Sequence, residues 1–275
     1  MRISEGLEAA ARTAAEIGCE TIQVFAANPN AWNSPPIEPA NGALFRKLTT
    51  DFGLHPVAVH TPYLLNLASP DWRIYLASAH VLADHVRRAE AIGANFVVTH
   101  IGSHKGSGIE QGIKRVASAI SKALNQSTGK TALLLENSAG SGDSIGSKFE
   151  NLRAILDQLS DYADRLGICL DTAHLWGAGY DVSNKDEIER TFEAFDSTVG
   201  MEYLKLLHLN DTKVELGSRV DRHANIGVGK IGEQGFHALL HYPPLANLAG
   251  VIEVPAKSIE TDIHDLGVLK RLREK

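Results

Sequence analysis

The sequence predicts an α/β chain folded as a (β/α)8 barrel, and three observations predict it. Short apolar segments alternate with helical segments across all 275 residues, the pattern of parallel strands joined by crossover helices. The strand segments are apolar throughout rather than alternating, as strands covered on both faces must be. Six successive strand segments end at or beside a histidine or a carboxylate, and a barrel gathers its functional side chains at the C-terminal ends of its strands. A doubly wound sheet is the structural alternative.

The elements follow in order. Residues 4–17 read as a helix, with Ser4 as N-cap and Gly18 as stop. Thr21 to Ala26 reads as a strand, 28–39 as a loop holding Trp32, and 41–53 as a helix ended by Gly53. Pro56 to His60 is a strand. A long helix over 70–92 opens at Ser69-Pro70 and stops at Gly93. Asn95 to His100 is a strand, 108–126 a helix and Thr131 to Glu136 a strand. The alternation continues with a helix at 147–160, a strand from Gly167 to Asp171, a helix at 184–198 and a strand from Tyr203 to His208. A short helix at 232–240, a strand from Val251 to Val254 and a last helix from Ile259 to Arg273 complete it. This gives seven strands in a single domain over 1–275, with Met1 to Ile3 at most the remnant of a truncated first strand.

Composition narrows the function. Hydrophobic residues make up 44% and charged residues 22% of the chain, which suits a soluble domain with a sizeable core. The formal net charge of −6 argues against nucleic-acid binding driven by bulk charge, while leaving room for a local basic groove or for bound cations. Cys19 and Cys169 lie in apolar segments outside any CxxC pair and read as core residues of a reduced, cytoplasmic protein. No apolar run reaches the ~18 residues of a membrane span, and the N-terminus lacks the layout of a signal peptide.

The stretch 203–232 carries the densest chemistry. His208 closes an apolar run, Asp211 follows, and Asp221 and His223 flank Arg222. Four glycines, at 217, 227, 229 and 232, mark most of it as loop. Imidazole nitrogens and carboxylate oxygens are ligands for zinc and similar divalent ions, and Lys213, Arg219, Arg222 and Lys230 beside them suit a phosphate. His60, His100, Glu136, Asp171 and His208 end strands, Glu253 nearly ends the last, and His174 follows Asp171 by three residues. With Asp221 and His223 that makes nine candidate ligands, five histidines and four carboxylates. One zinc takes three or four protein ligands, so nine suit two or three metals. Such a cluster can hold a nucleophilic water and stabilise both oxygens of an in-line displacement at phosphorus.

On these residues the chain resembles the endonuclease IV family, zinc-dependent AP endonucleases built on a TIM barrel. The matching segments are HTPYLLNLASP (60–70), VTHIGSHKG (98–106), LLLENSAGSGDSIG (133–146), CLDTAHLWGAGYD (169–181), LHLNDTKVELGSRVDRHANIGVGKIG (207–232) and IEVP (252–255). The resemblance implies a phosphodiesterase that cuts double-stranded DNA 5′ to an abasic site, leaving a 3′-hydroxyl and a 5′-deoxyribose phosphate, and that also acts on blocked 3′ ends. It implies three zinc ions per chain, with manganese compatible with the ligands. His60, His100 and Glu136 would hold the first. Glu136 would bridge to a second, completed by Asp171, His208 and Glu253, and would orient the attacking water. His174, Asp221 and His223 would hold the third. Tyr63 and Leu64 match a wedge inserted into DNA, Trp32 matches a DNA-facing tryptophan, and Arg219 and Arg222 would meet phosphate.

Two departures stand out. Asn30 stands where the family often has arginine, which removes an ion pair to phosphate, and Val254-Pro255-Ala256 replaces a Thr-Pro-Gly type run. Met1 stands where the family pattern has the valine of a first strand, so the native chain is expected to begin upstream. A monomer is expected. Two other functions compete. A sugar isomerase or epimerase on the same barrel needs one metal and only Glu136, Asp171, His208 and Glu253. A non-catalytic DNA-damage binder needs none of the nine ligands intact.

Overall fold

The computed structural model describes residues 6–28, 31–32, 34–253 and 258–275. They belong to two compact units, Met1–Glu136 with Ala154–Gly167, and Asn137–Arg153 with Ile168–Lys275. In the first unit, α1 (Leu7–Glu16), β1 (Ile22–Val24), α2 (Pro39–Asp51), β2 (Val57–His60), α3 (Trp72–Ala91), β3 (Phe96–His100), α4 (Ile109–Asn125) and β4 (Ala132–Glu136) alternate as the sequence predicts. The strands are parallel neighbours in chain order: Val24 pairs with Val59, Val59 with Val97, and Val97 with Leu133. Their valines and leucines are buried on both faces, which is why no alternation shows in the sequence.

The helices cover the strands with one apolar stripe each. On α4, Val116, Ile120 and Ala123 are fully buried at the spacing of one helix face, and α4 packs on α3. Burying each large aliphatic side chain contributes roughly 1.5–3 kcal/mol. The expected start of α3 at Ser69-Pro70 shifts to Asp71, whose carboxylate accepts from the N–H groups of Arg73 at 2.8 Å and Ile74 at 3.4 Å. That carboxylate satisfies two donors no helical carbonyl can reach, so the first turn forms behind it. The first helix begins at Leu7 behind Gly6. Ser4 and the remnant strand at 1–3 lie outside the described residues.

The second unit opens at Asn137 and takes in the start of α5 (Phe149–Asp157); the chain returns to the first unit over Ala154–Gly167 and re-enters the second within β5 (Leu166–Asp171). There follow α6 (Thr172–Ala178), α7 (Lys185–Thr198), β6 (Leu204–His208), β7 (Asp211–Thr212), β8 (His223–Ala224), α8 (Gly232–Leu240), β9 (Ala249–Val251) and α9 (Ile259–Glu274). β5, β6 and β9 are parallel, with Leu170 opposite Leu207 and Leu207 opposite Gly250. One element is new and two expectations change. The stretch after Asp171 is a helix, α6. The stretch 203–232 is not loop alone, since β7 and β8 pair antiparallel within it. The last strand ends at Val251, so Glu253 lies two residues beyond it. Among the described residues no helix is long and apolar enough to cross a membrane.

Candidate metal centre

Strand register sets the first ligand group, within the first unit. β3 and β4 pair so that His100 stands opposite Glu136, and His60 ends β2 beside them. Nε2 of His60 lies 3.0 Å and Nε2 of His100 3.3 Å from the same oxygen, Oε2 of Glu136. Nδ1 of His60 lies 2.6 Å from the carbonyl oxygen of Thr61. An imidazole that donates its Nδ1–H to a carbonyl offers the carboxylate, at Nε2, either a lone pair or a second proton. Two lone pairs at 3.0 Å repel, so the arrangement calls for a positive charge between them.

The second unit repeats this logic. His208 stands opposite Asp171 in the β5–β6 register. Asp171 is the N-cap of α6, and its Oδ1 accepts from the His174 N–H at 2.9 Å. Its Oδ2 faces inward, 3.6 Å from His223 Nε2. Asp221 spans the two imidazoles, with Oδ2 3.3 Å from His174 Nε2 and Oδ1 3.1 Å from His223 Nε2. Nδ1 of His174 lies 2.9 Å from the carbonyl of Asn137, and Nδ1 of His223 lies 3.0 Å from that of Glu253. Both Nε2 atoms are thereby aimed at carboxylates. His208 presents Nδ1 instead, 3.0 Å from Glu253 Oε2. In each of three sets the ligand atoms lie within 4.8 Å of one another: His60, His100 and Glu136; Asp171, His174 and His223; Asp171, His208 and Glu253.

Distances and charge test whether a divalent ion fits. Ligand atoms about 2.1 Å from a tetrahedral zinc stand roughly 3.4 Å apart. The imidazole–carboxylate separations around Glu136 Oε2 and Asp221 are 3.0 to 3.3 Å. Burial works to raise the pKa of Asp221, but hydrogen bonds to His174 and His223 and their charges outweigh it and hold the carboxyl well below the usual carboxylate range. Burial works to lower that of His223, yet Asp171, Asp221 and the Glu253 carbonyl push it up to about 9. A site that draws a proton onto its imidazole draws a metal cation for the same reason. The residues fit the group.

The remaining predicted residues fall in several places. Tyr63 lies over the first ligand group, its ring 5.6 Å from that of His60 and 5.8 Å from that of His100. It is 55% exposed, with Leu64 and Trp32 also part-exposed, so all three present apolar surface to solvent. Arg219 has φ +58°, and its guanidinium donates to the carbonyls of Gly140 at 2.7 Å and Gly142 at 2.9 Å. Those contacts tie two loops together before any phosphate arrives. Arg222 is exposed and donates to the Asp221 carbonyl at 2.8 Å. Asn30 and residues 254–257 lie outside the described residues.

Two asparagines that the motif reading passed over support the ligands. Asn137 Oδ1 accepts from the Asp171 N–H at 2.6 Å. Asn210 Nδ2 donates to Asp171 Oδ2 at 2.6 Å, and its Oδ1 accepts from the Glu253 N–H at 2.7 Å. Their signal was position, one residue after Glu136 and two after His208.

Comparison with known proteins agrees with this geometry. The family described as xylose isomerase-like TIM barrel matches residues 11–272, so the (β/α)8 expectation holds. A probable endonuclease 4 of Methanosphaerula palustris is 40% identical over 98% of this chain and 95% of the relative. The crystal structure of endonuclease IV from Thermus thermophilus superposes with a TM-score of 0.88 at 33% identity, over 100% of this chain and 97% of that one. A D-tagatose 3-epimerase-like protein superposes with a TM-score of 0.73 at 19% identity, over 96% of this chain and 91% of that one, a likeness of fold alone. Identity of this order over nearly the full length of both chains has one source: the chain belongs to the endonuclease IV family.

Proposed function

We propose that this chain is a metal-dependent phosphodiesterase that incises double-stranded DNA 5′ to abasic sites, leaving a 3′-hydroxyl and a 5′-deoxyribose phosphate. The observation that carries it is the aiming of three imidazoles: backbone carbonyls hold Nδ1 of His60, His174 and His223, so each Nε2 faces a carboxylate. In this reading His60, His100 and Glu136 hold one zinc, Asp171, His208 and Glu253 a second, and His174, Asp221 and His223 a third. The bridging role given to Glu136 rests on the family pattern. Divalent zinc, when bound, makes water acidic near neutral pH and neutralises charge on phosphate oxygens.

The chain's own residues do the rest. Glu136, buried beside two imidazoles, orients the attacking water. Tyr63 and Leu64 fill the gap left by the missing base, which an intact base would occupy. Trp32 adds apolar contact, and Arg222 meets phosphate. The epimerase reading leaves His60, His100, His174, Asp221 and His223 without a task. The protein acts as a cytoplasmic monomer, and blocked 3′ ends are a second substrate.

The test is incision of a duplex carrying one tetrahydrofuran abasic-site analogue, beside an intact duplex. Cutting on the 5′ side of the analogue alone is expected. Binding without cutting would contradict the hydrolase reading, and epimerisation of a ketose without incision would favour the sugar enzyme.

A further inference from the structure

Asp211 sits in the ligand-rich stretch, yet it enters none of the three ligand sets. It is fully buried. Its Oδ1 accepts from the backbone N–H groups of Thr212 at 2.8 Å and Ile231 at 3.0 Å, and its Oδ2 from those of Gly229 at 2.8 Å and Gly232 at 3.3 Å. Four N–H dipoles converging on one buried carboxylate offset its desolvation.

Two arms of chain close on this carboxylate. One is the β7–β8 ladder, where Asp211 stands opposite Ala224 and Thr212 opposite His223, extended by the Lys213 N–H donating to the Arg222 carbonyl at 2.9 Å. The other is 229–232, joined to the ladder by the Lys230 N–H donating to the Thr212 carbonyl at 2.7 Å. The fit is close: a Cβ on Gly229 would lie 2.3 Å from the Thr212 carbonyl oxygen and 2.4 Å from Asp211 Oδ1. The ladder closes the loop that carries Asp221, and His223 opens its second strand; both reach His174 or its partner carboxylate from there.

We propose that Asp211 is a positioning residue for metal binding: it seats the 221–223 segment so that His174, Asp221 and His223 form one ligand set. It acts through backbone and touches no ion. The inference rests on the metal reading above. Asp211→Asn keeps the volume but turns one acceptor oxygen into a donor facing N–H groups. Asp211→Ala removes all four contacts, and Gly229→Ala presses on the same carboxylate from the other side.

The experiment is a zinc titration against a chelator, with metal-free melting temperatures measured in parallel. It compares the wild-type protein with Asp211→Asn, Gly229→Ala, His223→Ala and the Asp211→Asn/His223→Ala double variant. Affinity for one ion is expected to fall roughly 10–100-fold in Asp211→Asn and in Gly229→Ala, with the other ions unchanged. The double variant should lose no more than His223→Ala alone, because both changes act on one site. Equal titrations for wild type and Asp211→Asn would overturn the inference alone. So would a loss shared by every ion, or one undiminished in the double variant, since either marks a merely structural carboxylate. Wild-type protein that takes up no third ion would overturn the metal reading and this inference with it.

Discussion

A buried ionisable side chain is defined by what meets its charge. Glu136 meets two imidazoles at 3.0 and 3.3 Å, Asp211 meets four backbone N–H groups, and Asp171 meets Asn210 at 2.6 Å. Sequence alone distinguishes these carboxylates poorly. Glu136 and Asp171 were legible because each ends an all-apolar strand, whereas Asp211 lies among ligands without being one. If Glu136 orients the water, Glu136→Gln should lower kcat for incision by ~10²–10⁴-fold and leave the circular dichroism spectrum unchanged. A variant that keeps wild-type kcat would remove Glu136 from the reaction. His85 gives a prediction about stability. Burial lowers its pKa from the usual 6.5, only partly countered by its hydrogen bond to Val81 and by Asp84, and its Nε2 meets no hydrogen-bond partner. The unfolded chain therefore takes up a proton near 6.5 that the folded chain refuses. The stability tied to His85 is present above that pH and lost as pH falls below it. The drop in melting temperature between about pH 7.5 and pH 5.5 should be smaller in His85→Leu than in the wild type; equal drops would contradict this.

At the scale of elements, the sequence showed the long ones. Every strand of the first unit and each of α2, α3 and α4 lies within two residues of its predicted bounds, because their apolar runs are continuous and their ends carry glycine or a cap. The pieces missed are short and begin without a loop. α6 starts at Thr172, directly after β5, so Asp171 both ends a strand and caps a helix. β7 and β8 have two residues each, too few for any periodicity. The segment after β8 is anchored by Asn225, whose Nδ2 donates at 2.6 Å to Oδ2 of Asp265 on α9. Asp265 is fully buried and its other oxygen meets no partner. Asn225→Ala strips that carboxylate of its donor and should cost about 1–3 kcal/mol in thermal or denaturant unfolding. No loss would show that the donor does not stabilise Asp265.

Across the whole chain, nine ligand-type residues lie between His60 and Glu253, and in each unit parallel strands bring some of them together: His60, His100 and Glu136 end strands of the first, Asp171 and His208 strands of the second. That makes the fold legible from the ligands and the ligands legible from the fold. Whether these residues hold metal is read by anomalous diffraction at the zinc absorption edge, on crystals of protein purified with zinc. One peak is expected against His60, His100 and Glu136, one against Asp171, His208 and Glu253, and one against His174, Asp221 and His223. A single peak, or none beside the imidazole nitrogens, would contradict the metal reading.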